Sequence, residues 1–268
     1  MRQSAGVVHD SLFTFHKAMH RFYLPPTESK AGPLMLAGRE AHHALRVLRL
    51  RRGDRVVVLN GAGGEFICDV ETFDRDKVQL AIVEQKTIAP PLCKITLLQA
   101  LPKAKIIESI IQKATELGVA RIVPLLTERV VTELDEKHAE RKAEKWQQIA
   151  VEAIKQCGTA WLPRVEPPIS PEEFLARKEQ FELPFVASLQ PGARHPRNYF
   201  RQFESQHGRK PKSACVWVGP EGDFTPEEVR EIVAHGALPI TLGRLVLRVE
   251  TAAAYCLSIL NYEIESPD

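Results

Sequence analysis

The pattern of apolar and polar positions changes near residue 90. Before that point, three apolar runs at a spacing of about ten residues predict β-strands at residues 55–60, 65–71 and 77–84. Short strands so closely spaced are typical of a small barrel. Pro90 and Pro91 follow, and prolines interrupt both helices and sheets. We therefore expect a linker at residues 87–91 and a small β-barrel at residues 19–90.

Beyond the linker, apolar runs alternate with helical patterns. Strands are predicted at residues 95–100, 119–126, 185–189, 214–218 and 238–242, and helices at 103–117, 138–157, 225–235 and from 249 onward. Capping boxes at Ser170 and Thr225 indicate helix starts. Strands that alternate with helices predict a mainly parallel sheet. The expected fold class is α/β, with this second domain at residues 91–268.

The N-terminal region is less regular than the rest. Residues 1–18 show no periodicity, so we expect an extension that is disordered or precedes a natural start near Met19. A short helix is predicted at residues 40–50, with its apolar side chains turned inward. These are Ala44, Leu45, Val47 and Leu48.

Composition is that of an ordinary folded protein, with 268 residues, 44% of them apolar and 26% charged. This length favours two domains. No apolar run approaches the ~20 residues of a membrane helix, and charged residues interrupt any signal-peptide pattern at the N-terminus. The five cysteines are odd in number and scattered among apolar runs. We therefore expect a cytoplasmic protein without a disulfide framework, a membrane partner or a metal site.

Basic charge is concentrated in the predicted barrel, although the net charge of the chain is only +2. Residues 39–55 include six arginines and only two acidic residues. The arginines are Arg39, Arg46, Arg49, Arg51, Arg52 and Arg55. A solvated helix face is one interpretation. A patch that contacts nucleic-acid phosphates is the other.

Candidate binding chemistry lies in three loops after C-terminal strands, at residues 188–193, 219–223 and 242–248. The last two are expected to leave neighbouring strands, and open α/β sheets bind ligands at such edges. Glycine lets an adenine edge, a ribose or a phosphate approach the backbone. Gly-Pro-Glu-Gly at residues 219–222 also fits a simple tight turn. The chain lacks the P-loop, dinucleotide, serine-elbow and zinc-protease motifs.

Eight motifs follow one another between Met19 and about Ile264. They are Met19-His-Arg-Phe, His43-x-x-Arg46-Val-Leu-Arg49, Leu98-Gln-Ala-Leu-Pro-Lys103, Gln112-Lys113-Ala-Thr-Glu-Leu-Gly118-Val, Pro124-Leu-x-Thr-Glu128-Arg129, Gln156-Cys-Gly158, Val218-Gly-Pro-Glu-Gly222 and Leu247-Arg248-Val-Glu250-Thr251-Ala252. In this order the set resembles the bacterial ribosomal RNA small-subunit methyltransferase E family, which belongs to the SPOUT, or α/β-knot, superfamily.

The resemblance implies a PUA-like RNA-binding β-barrel followed by a trefoil-knotted α/β methyltransferase domain that forms a homodimer. It implies S-adenosylmethionine as cofactor and N3 of one uridine in 16S ribosomal RNA of the small ribosomal subunit as methyl acceptor. The positions that match the family's cofactor site are Leu189, Gly219, Pro220, Glu221, Gly222, Leu242, Gly243, Leu247 and Thr251.

Methylation at uridine N3 requires two further roles. The imide proton must leave N3, and negative charge that spreads onto O2 and O4 must be stabilised. Arg248 is the candidate for the second role, because its guanidinium is always charged and presents paired donors. Glu250 or Glu221 is the candidate proton acceptor, although either could be structural, with Glu250 orienting Arg248. The methyl donor carries a sulfonium leaving group, so no metal is expected.

Seven residues are candidates for RNA contacts. Four lie in the barrel, at Arg46, Arg49, Arg51 and Arg52. Lys103, Arg129 and Gln156 are further candidates for RNA or dimer contacts, and structural roles have an equal claim. Two other functions stay open: a SPOUT methyltransferase that acts on another RNA, such as a transfer RNA ribose 2′-oxygen, and a non-catalytic RNA-binding ribosome-assembly factor.

The chain departs from the family pattern at several positions. Two family arginines are replaced, by Leu245 and Thr159, and a family lysine by Ile106. Arg244 stands where the family has proline or a small residue, and Asp223 replaces a glycine. The expected effect is on individual RNA contacts, while the cofactor loops stay intact.

Overall fold

The computed structural model describes residues 19–30, 32–103, 106–129, 136–189 and 192–265. The predicted N-terminal extension at residues 1–18 lies outside these ranges. Two sheets are present in the described chain, one formed before residue 90 and one after it. Among the described residues, no helix has both the length and the apolar character needed to cross a bilayer.

The N-terminal sheet has five strands, and it includes all three that the sequence predicts. The strands are β1 (His20–Tyr23), β2 (Leu34–Leu36), β3 (Arg55–Leu59), β4 (Gly64–Asp74) and β5 (Lys77–Thr87), in the order β1-β3-β4-β5-β2. β1 pairs with β3 in parallel, and the other pairs are antiparallel. Two register shifts interrupt the β4–β5 hairpin, and such irregularities increase the twist of a sheet. One face packs on a core of side chains that includes Phe22, Leu34 and Val58.

The helix predicted at residues 40–50 is shorter and irregular. Helix α1 spans Gly38–His42 and continues as a π-helical turn at His43–Val47. Ala44 is fully buried, but Val47 is 61% exposed, so its inward placement was wrong. A π turn contains more residues than an α turn, so it displaces the following side chains around the helix axis.

The C-terminal sheet has six strands, and all of its strand pairs are parallel. The strands are β6 (Lys94–Ala100), β7 (Arg121–Leu125), β8 (Arg164–Val165), β9 (Leu183–Ala187), β10 (Ser213–Val218) and β11 (Leu238–Ile240), in the order β11-β9-β10-β6-β7-β8. The predicted α/β class with a mainly parallel sheet is therefore confirmed.

Six helices accompany this sheet in the described chain. They are α2 (Ile106–Glu116), α3 (Glu136–Cys157), α4 (Pro171–Ala176), α5 (Pro196–His207), α6 (Pro226–Ala234) and α7 (Val249–Glu265). Both predicted capping boxes are formed, because the Ser170 and Thr225 hydroxyls each accept from the backbone N–H three residues later. The sequence did not predict α5, whose buried side is limited to a few residues such as Phe200 and Phe203.

The strand order corrects one expectation about the site. β10 and β11 are not neighbours, since β9 lies between them. Backbone groups on both sides of one loop hold β11: Ser188 N–H donates to Ile240 O, and Arg194 N–H donates to Pro239 O, each at 3.1 Å. β11 is therefore held by the chain at Ser188 and again at Arg194.

Candidate functional site

Three loops at the carboxyl ends of β9, β10 and β11 line one cavity of about 210 Å³. Its lining residues lie at positions 187–189, 218–223, 242–243, 245–247, 249 and 252. These are the loops that the sequence singled out. They converge here because parallel strands place their carboxyl ends at the same edge of the sheet.

Most of the predicted cofactor residues line this cavity. Those that do are Leu189, Gly219, Pro220, Glu221, Gly222, Leu242, Gly243 and Leu247. Thr251 does not, because it is exposed on the first turn of α7. The structure adds Asp223, Leu245 and Val246 to the lining. The sequence indicated these three residues as part of the site only through their positions inside the predicted loops.

The Gly-Pro-Glu-Gly-Asp loop at residues 219–223 closes tightly on itself. Asp223 N–H donates to Pro220 O at 2.9 Å. A Cβ atom at Gly219 would lie 2.8 Å from Asp223 Oδ1, so a side chain at this position would require Asp223 to shift. Asp223 has a φ of 61°, a left-handed conformation for which a glycine is the usual choice. Its Oδ1 accepts from Phe224 N–H at 2.8 Å, which explains how aspartate occupies this position.

Hydrogen bonds from two other segments of the chain anchor this loop, and each involves a charged side chain. Glu221 Oε1 accepts from Lys103 N–H at 2.9 Å, which joins the loop to the segment after β6. Arg129, which follows β7, donates to the carbonyl oxygens of Gly222 and Asp223. Beside it, Glu128 N–H donates to Glu228 Oε1 at 3.0 Å. The loop after β10 is thus anchored to the ends of both β6 and β7.

Gly243 is the glycine of the third loop and has a φ of 107°. A Cβ at this position would meet no atom within 4 Å, so the backbone here borders open space. Gly243 N–H donates to Thr241 Oγ1 at 3.2 Å. The conformation and the open space together allow a ligand to approach this backbone closely.

The candidate catalytic side chains lie at the edge of the cavity. Arg248 is exposed, and it stands between Leu247 and Val249, which both line the cavity. Its carbonyl oxygen accepts from Ala252 N–H at 2.8 Å, which closes the first turn of α7. Glu250 is partly buried in that turn. Neither side chain contributes to the cavity lining.

The candidate RNA residues lie in three separate places. Arg46, Arg49, Arg51 and Arg52 are all exposed, in the π-helical turn and the segment that leads to β3. Lys103 and Arg129 meet the cavity loop as described. Gln156 lines a separate cleft between α1, α2 and α3, together with Arg39 and Gln112.

The cysteines of the described chain are free thiols, and four of them are buried. Cys68, Cys93, Cys215 and Cys256 are buried free thiols, and burial raises the pKa of each to about 12. Cys157 is a free thiol at the surface. Within the ranges that the structure covers, no three histidine, cysteine or acidic side chains are grouped as metal ligands would be.

Family models match both parts of the chain. Residues 36–83 match the RNA methyltransferase PUA domain, and residues 89–261 match the RNA methyltransferase domain. The fold and the cavity at its knotted edge therefore define an RNA methyltransferase of the SPOUT class, with a PUA domain at the N-terminus.

Curated relatives identify the family more closely. The chain is 32% identical to ribosomal RNA small subunit methyltransferase E of Bacillus subtilis over 251 residues, which cover 92% of this chain and 98% of that protein. It is 33% identical to the protein of the same name from Synechocystis, with 92% and 78% covered. The chain belongs to the ribosomal RNA small subunit methyltransferase E family.

Solved structures agree with this assignment. A Legionella pneumophila protein in complex with S-adenosylmethionine superimposes with a TM-score of 0.80 at 32% identity, with 91% of this chain and 97% of that chain covered. Ribosomal RNA small subunit methyltransferase E from Neisseria gonorrhoeae, also bound to S-adenosylmethionine, gives 0.78 at 27% identity, with 91% and 97% covered.

Proposed function

We propose that this protein methylates N3 of a specific uridine in the 16S ribosomal RNA of the small ribosomal subunit, with S-adenosylmethionine as methyl donor. The observation that carries the proposal is the convergence of three strand-end loops on one glycine-bordered cavity. Membership of the small subunit methyltransferase E family supports ribosomal RNA as the substrate.

The cavity has the features that an adenosine derivative requires. Leu189, Leu242, Leu245 and Val246 supply apolar walls for a purine ring. The open space at Gly243 leaves room for ribose or adenine against the backbone. When bound, S-adenosylmethionine supplies a methyl group on a sulfonium leaving group. Two solved relatives with bound S-adenosylmethionine support this choice of cofactor.

The edge of the cavity supplies the groups that activate uridine. In this proposal Arg248 donates to uridine O2 or O4, where negative charge develops as the N3 proton leaves. Its exposed position between two residues that line the cavity supports this role. Of the two candidate proton acceptors, Glu250 is favoured, since one carboxylate oxygen of Glu221 already accepts from Lys103 N–H. We assign Glu221 to holding the loop and Glu250 to the proton.

The barrel supplies the electrostatic contact with RNA in this proposal. Arg46, Arg49, Arg51 and Arg52 are exposed within seven consecutive positions, and guanidinium groups donate hydrogen bonds to phosphate oxygens. Phosphate contacts of this kind give most of the affinity for nucleic acid and make it depend on salt.

We further propose a homodimer formed through the knot domain. Helix α7 carries two exposed aromatic side chains, Tyr255 at 45% and Tyr262 at 64%. They are seven positions apart, so they lie on the same side of the helix. Exposed tyrosines are enriched at protein interfaces. Light scattering would give twice the chain mass if the proposal is correct, and Tyr255→Glu should shift the protein toward the monomer.

Nucleotide-resolved mapping of methylation in small-subunit RNA, with and without the gene, tests the function. We expect one N3-methyluridine to disappear in the deletion strain and to return with the wild-type gene. Loss of a methyl group from a transfer RNA instead would assign another substrate. An unchanged methylation pattern, with no heat of S-adenosylmethionine binding by calorimetry, would favour a non-catalytic assembly factor.

A further inference from the structure

Arg129 reaches the cofactor loop from a different strand end. Its Nη1 donates to Gly222 O and to Asp223 O, the latter at 3.3 Å. The side chain also packs across Gly222, where a Cβ atom would lie 3.4 Å from Arg129 Cδ. A cation is thus directed at two consecutive backbone carbonyls, and both residues line the cavity.

The loop needs such an anchor because of its conformation. Asp223 holds a φ of 61°, which is less favourable for aspartate than for glycine. Hydrogen bonds from a charged donor are stronger than those between neutral groups. In the same loop, Glu221 is tied to Lys103 N–H. The two anchors join residues 221–223 to the segments that follow β6 and β7.

We propose that Arg129 is a positioning residue for methyl transfer, and that it acts on cofactor affinity through the carbonyl groups of Gly222 and Asp223 rather than by contacting RNA phosphates. The proposal rests on the assignment of the cavity to S-adenosylmethionine. It gives Arg129 a different role from the barrel arginines, whose side chains are remote in sequence from the loop and exposed on another domain.

Calorimetric titration of S-adenosylmethionine into the wild type and the Arg129→Ala variant tests this proposal. We expect the Kd to rise about tenfold or more, the factor that corresponds to one hydrogen bond to a charged group. The Kd for small-subunit RNA should change less than about twofold, with the same salt dependence. Arg129→Lys should recover part of the cofactor affinity, because an ammonium can still donate to one carbonyl.

Hydrogen exchange in the absence of cofactor gives a second readout. In Arg129→Ala, the N–H groups of Asp223 and Phe224 should exchange faster, since both are protected within this loop. Arg141→Ala is the matched control, as it removes the same charge from the exposed side of α3. We expect wild-type values for that variant.

The outcomes separate the two proposals. If wild-type protein does not bind S-adenosylmethionine, the assignment of the cavity is wrong. If the wild type binds it and Arg129→Ala binds it equally well while losing RNA affinity, Arg129 is a phosphate contact and the positioning role is wrong. If alanine disturbs folding, Arg129→Met replaces it, because methionine keeps an unbranched side chain and has no donor. Unchanged cofactor affinity and unchanged exchange at Asp223 in that variant would overturn the inference too.

Discussion

Glu40 and Lys155 form a salt bridge of 2.8 Å between the N-terminal barrel and α3, and their side chains are only 14% and 7% exposed. The second carboxylate oxygen of Glu40 accepts from Tyr23 N–H at 3.2 Å. Nearby, Arg21 donates to the carbonyl oxygens of Lys155 and Gln156 at the end of the same helix. Charged groups therefore fix the barrel against the methyltransferase domain.

This pair predicts a stability effect. We expect Lys155→Met to lower the free energy of unfolding by about 2 kcal/mol, below the ~3–5 kcal/mol for a fully buried pair, because Glu40 keeps its Tyr23 partner. Urea denaturation measures the change. In the double variant with Glu40→Gln, the loss of unfolding free energy should be clearly smaller than the sum of the two single losses. If the two losses simply add, the salt bridge contributes nothing to stability. Arg230→Ala in the exposed pair with Glu227 is the control, with no measurable effect expected.

Arg248→Ala should affect turnover much more than cofactor binding. We expect kcat to fall about 100-fold, the typical cost of losing one donor to a developing negative charge. The Kd for S-adenosylmethionine should stay within about threefold, as the Arg248 side chain does not line the cavity. Single-turnover methylation and calorimetry measure the two quantities. Arg201→Ala, an exposed change on α5, is the control, and turnover at the wild-type rate in Arg248→Ala would disprove the role.

Reversal of Arg49 and Arg52 to glutamate should weaken RNA binding. The exposed positions of both side chains make direct phosphate contact the physical reason. Because each phosphate contact releases counterions, removal of both arginines should flatten the slope of log affinity against log salt by about 1.5. Filter binding over a range of salt concentrations measures it. Arg75→Glu, on the β4–β5 turn of the same domain, makes the same charge change away from this cluster. If Arg75→Glu loses as much RNA affinity per charge, the effect of the Arg49 and Arg52 reversal comes from net charge and not from direct phosphate contact.

Low pH should lower the free energy of unfolding, and protonation of Glu182 should account for part of this loss. Hydrogen bonds from Arg209, and then from Lys212 N–H, lower the pKa of this carboxyl from 4.5 to about 2. Because the folded state has the lower pKa, the stabilisation is present above pH 4.5 and is lost as the pH falls toward about 2. Between these values, the unfolding free energy of Glu182→Gln should therefore fall less steeply than that of the wild type.

Urea denaturation at a series of pH values measures this difference. Glu227→Gln removes the same charge from a side chain that is 70% exposed, and it should keep the wild-type dependence. Parallel curves for the wild type and Glu182→Gln would contradict the prediction.

Most helices and strands could be predicted from the sequence, because the spacing of buried apolar residues repeats over a few neighbouring positions. The run at residues 214–218 is continuously apolar, and β10 is a buried strand between β9 and β6. The capping boxes at Ser170 and Thr225 were predictable for the same reason, since each is closed within four residues.

Contacts between distant segments were not predictable in this way. The local sequence Gly61-Ala62-Gly63-Gly64 indicates no more than a turn between two strands. In the structure, Gly63 N–H donates to Ala160 O, and Leu162 N–H donates to Gly61 O. Gly63 has a φ of 89°, and a Cβ there would lie 2.7 Å from the Trp161 ring. This turn is where the barrel docks on the chain after α3, a role that no local pattern indicates.

The sequence by itself determined eight of the eleven strands in the described chain, most helices and the three loops that border the cavity, because these features depend on neighbouring residues. It did not predict β1, β2 or β8, which are only two to four residues long. The tertiary structure alone decided that β9 lies between β10 and β11, and that Arg129 meets Gly222 across 93 positions of the chain. Strand order decides which loops share a sheet edge. Arg129, which the sequence offered as a candidate RNA contact, is therefore a donor to the loop after β10 in the structure.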